Sequence, residues 1–193
     1  MLQILPTCTA RAYASDVAEG PLASARAAIA EAGEEKRCEA VLCDGAAALA
    51  GRGIGDVAIC GMGGELIARI IEDASWLFDP AVRLILQPMT RTAYLRRFLA
   101  ERGFCILKET YSIAAGRPYV CLLVEFRGGS CSISRLDAEI GSPENTDAPA
   151  FRAYAEQRLR ALLREAEGDR LAGRVGDAAE TAEAIAHLLA HMQ

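Results

Sequence analysis

The 193-residue sequence is short of metal ligands. It has two histidines, His187 and His191, and no CxxC pair among seven cysteines. A structural zinc site needs four such ligands close together, so no metal is expected. The histidines stand four apart near the C-terminus, and a solvated helix face is the simpler reading. Cys8, Cys38, Cys43, Cys60, Cys105, Cys121 and Cys131 are odd in number and lie partly in apolar runs. They read as small buried hydrophobes, not as a disulfide framework. The longest apolar runs, Leu84 to Leu86 and Val120 to Val124, fall far short of the ~20 residues that span a bilayer. No basic leader opens the chain, so a cytoplasmic, membrane-free monomer is expected. Lysine is nearly absent, since 19 of the 21 cations are arginine, and net charge is −5. That charge argues against a generally basic nucleic-acid binder. Local sets at Arg91/Arg96/Arg97/Arg102 and Arg152/Arg158/Arg160/Arg164 still allow phosphate contacts on one face.

What is present is ample core material, 52% hydrophobic against 24% charged residues. Short apolar runs alternate with amphipathic stretches. Strands are expected at Arg11 to Ala14, Glu39 to Leu42, Asp56 to Cys60 and Arg83 to Leu86. Two longer ones follow, Phe104 to Ile113 and Tyr119 to Phe126. Between them lie helices with apolar stripes: Leu22, Ala25, Ile29, Ala32; then Leu66, Ile67, Ile70, Ile71, Ala74; then Tyr94, Leu95, Phe98, Leu99. This predicts an α/β fold, a Rossmann-like and mainly parallel sheet with an antiparallel terminal hairpin. The expected sheet domain covers residues 1–128. A Gly-, Ser-, Asp- and Pro-rich linker over 129–150 leads to an antiparallel helical hairpin over 151–193.

Ligands of open α/β sheets bind beyond the C-terminal strand ends. Asp16 and Asp44 end successive strands there, and Gly61-Met62-Gly63-Gly64 ends the next. One acid can accept hydrogen bonds from a ribose diol and the next from an adenine amino group. The glycines would let a ligand approach the backbone.

In this order and spacing the motifs resemble a family. Ser15 to Leu22, Cys43-Asp44-Gly45, Ile59 to Gly64 and Leu84 to Met89 look like the signature of bacterial tRNA (adenine(22)-N1)-methyltransferases. Gly116-Arg117-Pro118-Tyr119 and Phe151-Arg152-Ala153-Tyr154 match as well. The resemblance implies a class I enzyme using S-adenosylmethionine (SAM) as cofactor and tRNA as partner. It implies that Asp16, with Val17, holds the ribose and that Asp44 and Gly45 bracket the adenine. Gly61, Met62, Gly63 and Gly64 would lie beside the methyl group, and Gln87 and Pro88 would line the target-base pocket. Arg152 and Arg158, on the hairpin, would meet RNA. No catalytic base can be named. The family opens with a strand and a glycine-containing loop around the methionine end of SAM, whereas Met1 to Ala10 has no glycine. The sheet is therefore expected to lack its first β-α unit, and SAM binding to be weak. Two other readings stay open: a non-catalytic remnant that binds RNA or protein, and an oxidoreductase using Gly61-x-Gly63-Gly64 as a phosphate turn. The latter lacks the third spaced glycine of the dinucleotide fingerprint.

Overall fold

The computed structural model describes residues 11–141, 149–174 and 176–191. The expectation for Met1 to Ala10 lies outside them. Two compact units are formed, one within Met1–Ile54 and Arg69–Leu77, the other within Gly55–Ala68 and Phe78–Gln193. In the first, β1 (Ala12–Asp16), α1 (Glu19–Glu31) and β2 (Cys38–Leu42) follow in order, and the strands pair in parallel. Leu22 and Ile29 are the buried residues of α1, and Ile29 packs with Cys38, Ala12 and Ala40. Ala32, expected in the stripe, caps the helix and is exposed, because the chain turns at Gly33.

The second unit holds a four-stranded sheet in the order β3 (Asp56–Gly63), β4 (Arg83–Thr90), β6 (Arg117–Phe126), β5 (Phe104–Ala114). β3 and β4 are parallel, while β4–β6 and β5–β6 are antiparallel. The α/β reading with a terminal antiparallel hairpin holds. Both parallel strands run further than the sequence suggests, through Gly63 and through Thr90. The extension is irregular, with register shifts on either side of Met62. α2 (Gly64–Asp73) follows β3, and α3 (Thr92–Glu101) follows β4.

Leu84, Leu86, Leu95, Leu99, Leu122 and Val124 are fully buried, each side chain contributing about 1.5–3 kcal/mol of transfer free energy. Phe78, Phe104 and Phe126 meet edge to face at 5.0–5.4 Å. Leu66 and Tyr94 are exposed, not core as their spacing suggests. The α3 face turns instead toward Ala93, Arg96 and Ala100.

The expected linker is corrected by α4 (Arg135–Ile140), which starts where the Ser134 hydroxyl accepts the Asp137 N–H, a side-chain N-cap. α5 (Pro149–Leu171) and α6 (Ala178–His191) form the hairpin. Val175 and Met192, within the expected hairpin, lie outside the described residues. The hairpin shares a core with the sheet: the Tyr111 ring lies 5.1 Å from Phe151 and 5.2 Å from Tyr154. No helix among the described residues is long and apolar enough to cross a membrane.

Candidate functional site

Parallel pairing of β1 with β2 sets Asp16 opposite Leu42, and the Cys43 N–H donates to the Asp16 carbonyl at 3.0 Å. Asp16 and Asp44 therefore emerge at the same end of this two-stranded sheet. Asp16 Oδ1 accepts the Ala18 N–H at 2.9 Å, an Asx turn leading into α1. Val17 beside it is 69% exposed. Both Asp44 oxygens lie 3.2 Å from the Arg69 guanidinium, with both side chains well exposed. That pairing holds the Arg69 pKa above its ordinary value. Gly45 turns with φ +71°, and a Cβ there would press on Ile70 at 3.3 Å. Two carboxylates, acceptor-only groups, thus flank one strand end.

The Gly61–Gly64 run belongs to the other unit. The Gly61 N–H donates to Gln87 Oε1 at 2.9 Å, a side-chain amide standing in for a ladder carbonyl where the register shifts. A Cβ on Gly64 would lie 2.5 Å from the Arg91 carbonyl oxygen, and one on Gly63 would lie 3.1 Å from Thr90 Oγ1. These two glycines admit the chain's own β4–α3 turn. Only Gly61, with φ +78° and open space around its missing Cβ, is placed as the sequence reading of ligand approach requires. Met62 is half-buried.

Gln87 and Pro88, expected together in one pocket, part company. Gln87 is turned to Gly61, and Pro88 lines a cleft of ≈ 260 Å³. Its other walls are the β4–α3 turn, the start of β6, and Tyr154, Gln157 and Arg158 of α5.

Behind the cleft lies a polar cluster that the sequence did not signal. Arg96, read from sequence as part of a phosphate-binding set, is 1% exposed. It donates to Glu109 Oε1 at 2.9 Å and to the Ala138 carbonyl at 2.8 Å. Tyr111 donates to Glu109 and lies 2.8 Å from the Ile140 carbonyl. Gly141 leaves room for that carboxylate, onto which any Cβ would fall. Burial pulls the Arg96 pKa down, but Tyr154, Glu109 and Tyr111 outweigh it, and the net shift is upward. Arg158 binds Glu139 at 2.6 Å, so it ties α5 to α4 while facing the cleft. Arg152 is exposed and pairs with Glu156 at 3.2 Å. The only trace of the cluster in the sequence is that Arg96 falls between Ala93 and Ala100 on one helical face. Among the described residues no group of His, Cys, Asp and Glu is arranged to hold a metal ion, and His187 is exposed on α6.

A methyltransferase fold is what these elements define. Residues 4–122, more than half the chain, match the family described as "Methyltransferase domain". Streptococcus pneumoniae Sp1610, assigned as a tRNA (m1A22) methyltransferase and solved in complex with S-adenosyl-L-methionine, is 30% identical. The match covers 97% of this chain and 86% of that one, with a TM-score of 0.82. The Bacillus subtilis m1A22 tRNA methyltransferase TrmK shares the fold, with a TM-score of 0.76 at 22% identity over 98% and 85% of the two chains. The curated tRNA (adenine(22)-N(1))-methyltransferase of Bacillus subtilis is 28% identical over 114 residues, 59% of this chain and 48% of that protein. This chain therefore spans about half the length of that curated relative. It belongs to the tRNA (adenine(22)-N1)-methyltransferase family.

Proposed function

We propose that this protein transfers a methyl group from SAM to N1 of an adenine in tRNA, at position 22. The observation that carries the reading is the likeness to SAM-bound Sp1610, which runs through 97% of the chain. The chemistry of the strand ends fits the same cofactor. The half-buried Asp16 and the exposed Asp44 carboxylates suit a ribose diol and an adenine amino group, and Gly61 suits a close-lying ligand. Water screens an exposed ion pair such as Asp44–Arg69, so a ligand amine displaces Arg69 at small cost.

Bound SAM supplies an electrophilic sulfonium methyl. Adenine N1 brings its own lone pair, so the reaction requires no side chain to remove a proton first. The protein's part is to hold the base edge in line and exclude water, with effective molarity as the main lever. The base must leave its stack before N1 can be reached. In this reading Asp16, Val17, Asp44, Gly45 and Gly61 serve the cofactor, while Gln87, Pro88, Arg152 and Arg158 serve the RNA side.

The test is a SAM titration by calorimetry beside methyl transfer to an unmodified tRNA transcript, with the product mapped by mass spectrometry. SAM binding with methylation at one adenine N1 supports the proposal. A protein that binds tRNA but neither binds SAM nor methylates the transcript would be an RNA-binding module instead.

A further inference from the structure

Every charged residue lining the cleft beyond β4 is an arginine: Arg91, Arg117 and Arg158. In a chain of net charge −5 this is a local reversal of sign. The three differ in what they already hold. Arg158 is bound to Glu139 at 2.6 Å, and Arg91 lies 3.5 Å from Glu65. Arg117 is exposed, and its side chain has no hydrogen-bond or ion-pair partner among the described residues.

The backbone points the same way. Among the described residues Arg91 is one of two non-glycine residues at positive φ, with φ 56° and ψ 35°. It is the N-cap of α3 and makes no side-chain cap. The first N–H groups of this ten-residue helix therefore start at Thr92, in the cleft wall, where the helix end favours an anion. Gly64 leaves room for this turn, since a Cβ there would lie 2.5 Å from the Arg91 carbonyl oxygen.

The remaining walls are unlike a simple phosphate site. Pro118 and Tyr119 present apolar, ring-bearing surface, and Thr90, Thr92 and Gln157 add hydrogen-bonding groups. Base and phosphate recognition meet here. The volume, ≈ 260 Å³, falls below the ~300–1,000 Å³ that enclose a whole free ligand. A segment of a polymer, with most of its length outside, suits the cleft better than a free cofactor. Of the residues expected around the methylated base and the methyl group, Pro88 alone is among its walls; Gln87, facing Gly61, and the Gly61–Gly64 run are not.

We propose that this cleft holds one nucleotide of the substrate RNA other than the methylated one, with Arg117 as the phosphate-binding residue. The proposal rests on the tRNA reading above and adds a second RNA contact point to it. Arg91 and the α3 N-terminus support the same phosphate, and the base lies against Tyr119.

The experiment measures binding of a tRNA transcript across a salt series, alongside a SAM titration, for the parent protein, Arg117→Ala and the control Arg83→Ala. Arg83 is exposed, starts β4 and already pairs with Asp56 at 2.8 Å. Arg117→Ala should weaken tRNA binding roughly tenfold and reduce the salt slope by about one. SAM affinity and melting temperature should stay at parent values, as should all readouts for Arg83→Ala. A parent that binds tRNA and an Arg117→Ala variant that binds equally well would overturn the cleft assignment alone. Lost SAM affinity in Arg117→Ala would give the cleft to the cofactor and also overturn it. A parent that binds no tRNA at any salt would overturn both this proposal and the proposed function.

Discussion

Two arginine–carboxylate pairs, one in each compact unit, have the same chemistry and opposite surroundings. Asp44 and Arg69 are 61% and 50% exposed, whereas Glu109 and Arg96 are 4% and 1% exposed. Water screens the first pair and competes with it, so it opens readily. The second has exchanged its hydration for fixed partners: two main-chain carbonyls of α4 and the hydroxyls of Tyr111 and Tyr154. Removing one member of such a cluster strands the other without water. The comparison teaches that charge placed for ligands and charge placed for architecture are told apart by burial, not by residue type.

The largest expected effect is at the buried pair. Arg96→Met should cost about 3–5 kcal/mol, because Glu109 and the α4 carbonyls lose their donor. Urea denaturation measures it, and the double variant Arg96→Met/Glu109→Leu should recover much of the loss. A single variant as stable as the parent would break the comparison. The next effect is at Gly64, where an alanine Cβ would sit 2.5 Å from the Arg91 carbonyl. Gly64→Ala should destabilise by about 1–3 kcal/mol and disturb the cleft wall as well.

At the strand ends of the first unit, Asp16→Ala and Asp44→Ala should each lower SAM affinity ten- to a hundredfold, about 1.5–3 kcal/mol, with little change in melting temperature. Unchanged SAM affinity with a lowered melting temperature would make them turn-formers only. Arg69→Ala should leave stability close to that of the parent.

The smallest effect concerns alkaline pH. Burial first, and Glu109 as well, push the Tyr111 pKa up although Arg96 pulls it down. The folded chain thus holds this proton more tightly than the unfolded chain. That contribution is complete below the unfolded value of about 10 and is lost as pH rises above it. Tyr111→Phe should flatten the fall of melting temperature in that range, and an unchanged slope would contradict the assignment.

Periodicity made most of the sheet legible, because alternating burial in β4 and β6 and the α2 stripe follow directly from apolar spacing. It failed where side chains complete the backbone. Gly61-Met62-Gly63 and Gln87-Pro88 carry turn-forming residues, yet the hydrogen bond that the Gly61 N–H donates to the Gln87 side chain bridges the register shift and keeps both segments in strands. α4 hid in a polar segment, although Ser134 and Asp137 already held its capping signal. Of the candidate site, the strand-end acids were found by position in the fold pattern. The arginine cleft was not, because its walls are far apart in sequence and meet only after α5 docks on Tyr111.

That docking also changes how the hairpin can be tested. Deleting residues 130–193 would remove the α4 carbonyls and Tyr154 from Arg96, so it would unfold the second unit along with any RNA contact. Arg160 and Arg164, exposed on α5, are the better probes. Their replacement by alanine should lower tRNA affinity about two- to fivefold, with stability unchanged.

The central claim is methyl transfer to tRNA, and single-turnover reaction with labelled SAM on an unmodified transcript tests it most directly. One methyl group per tRNA is expected, at N1 of adenine 22, and none on a transcript with guanine at that position. Labelling that ignores the substitution, or no labelling of a transcript the protein binds in the presence of saturating SAM, would contradict it.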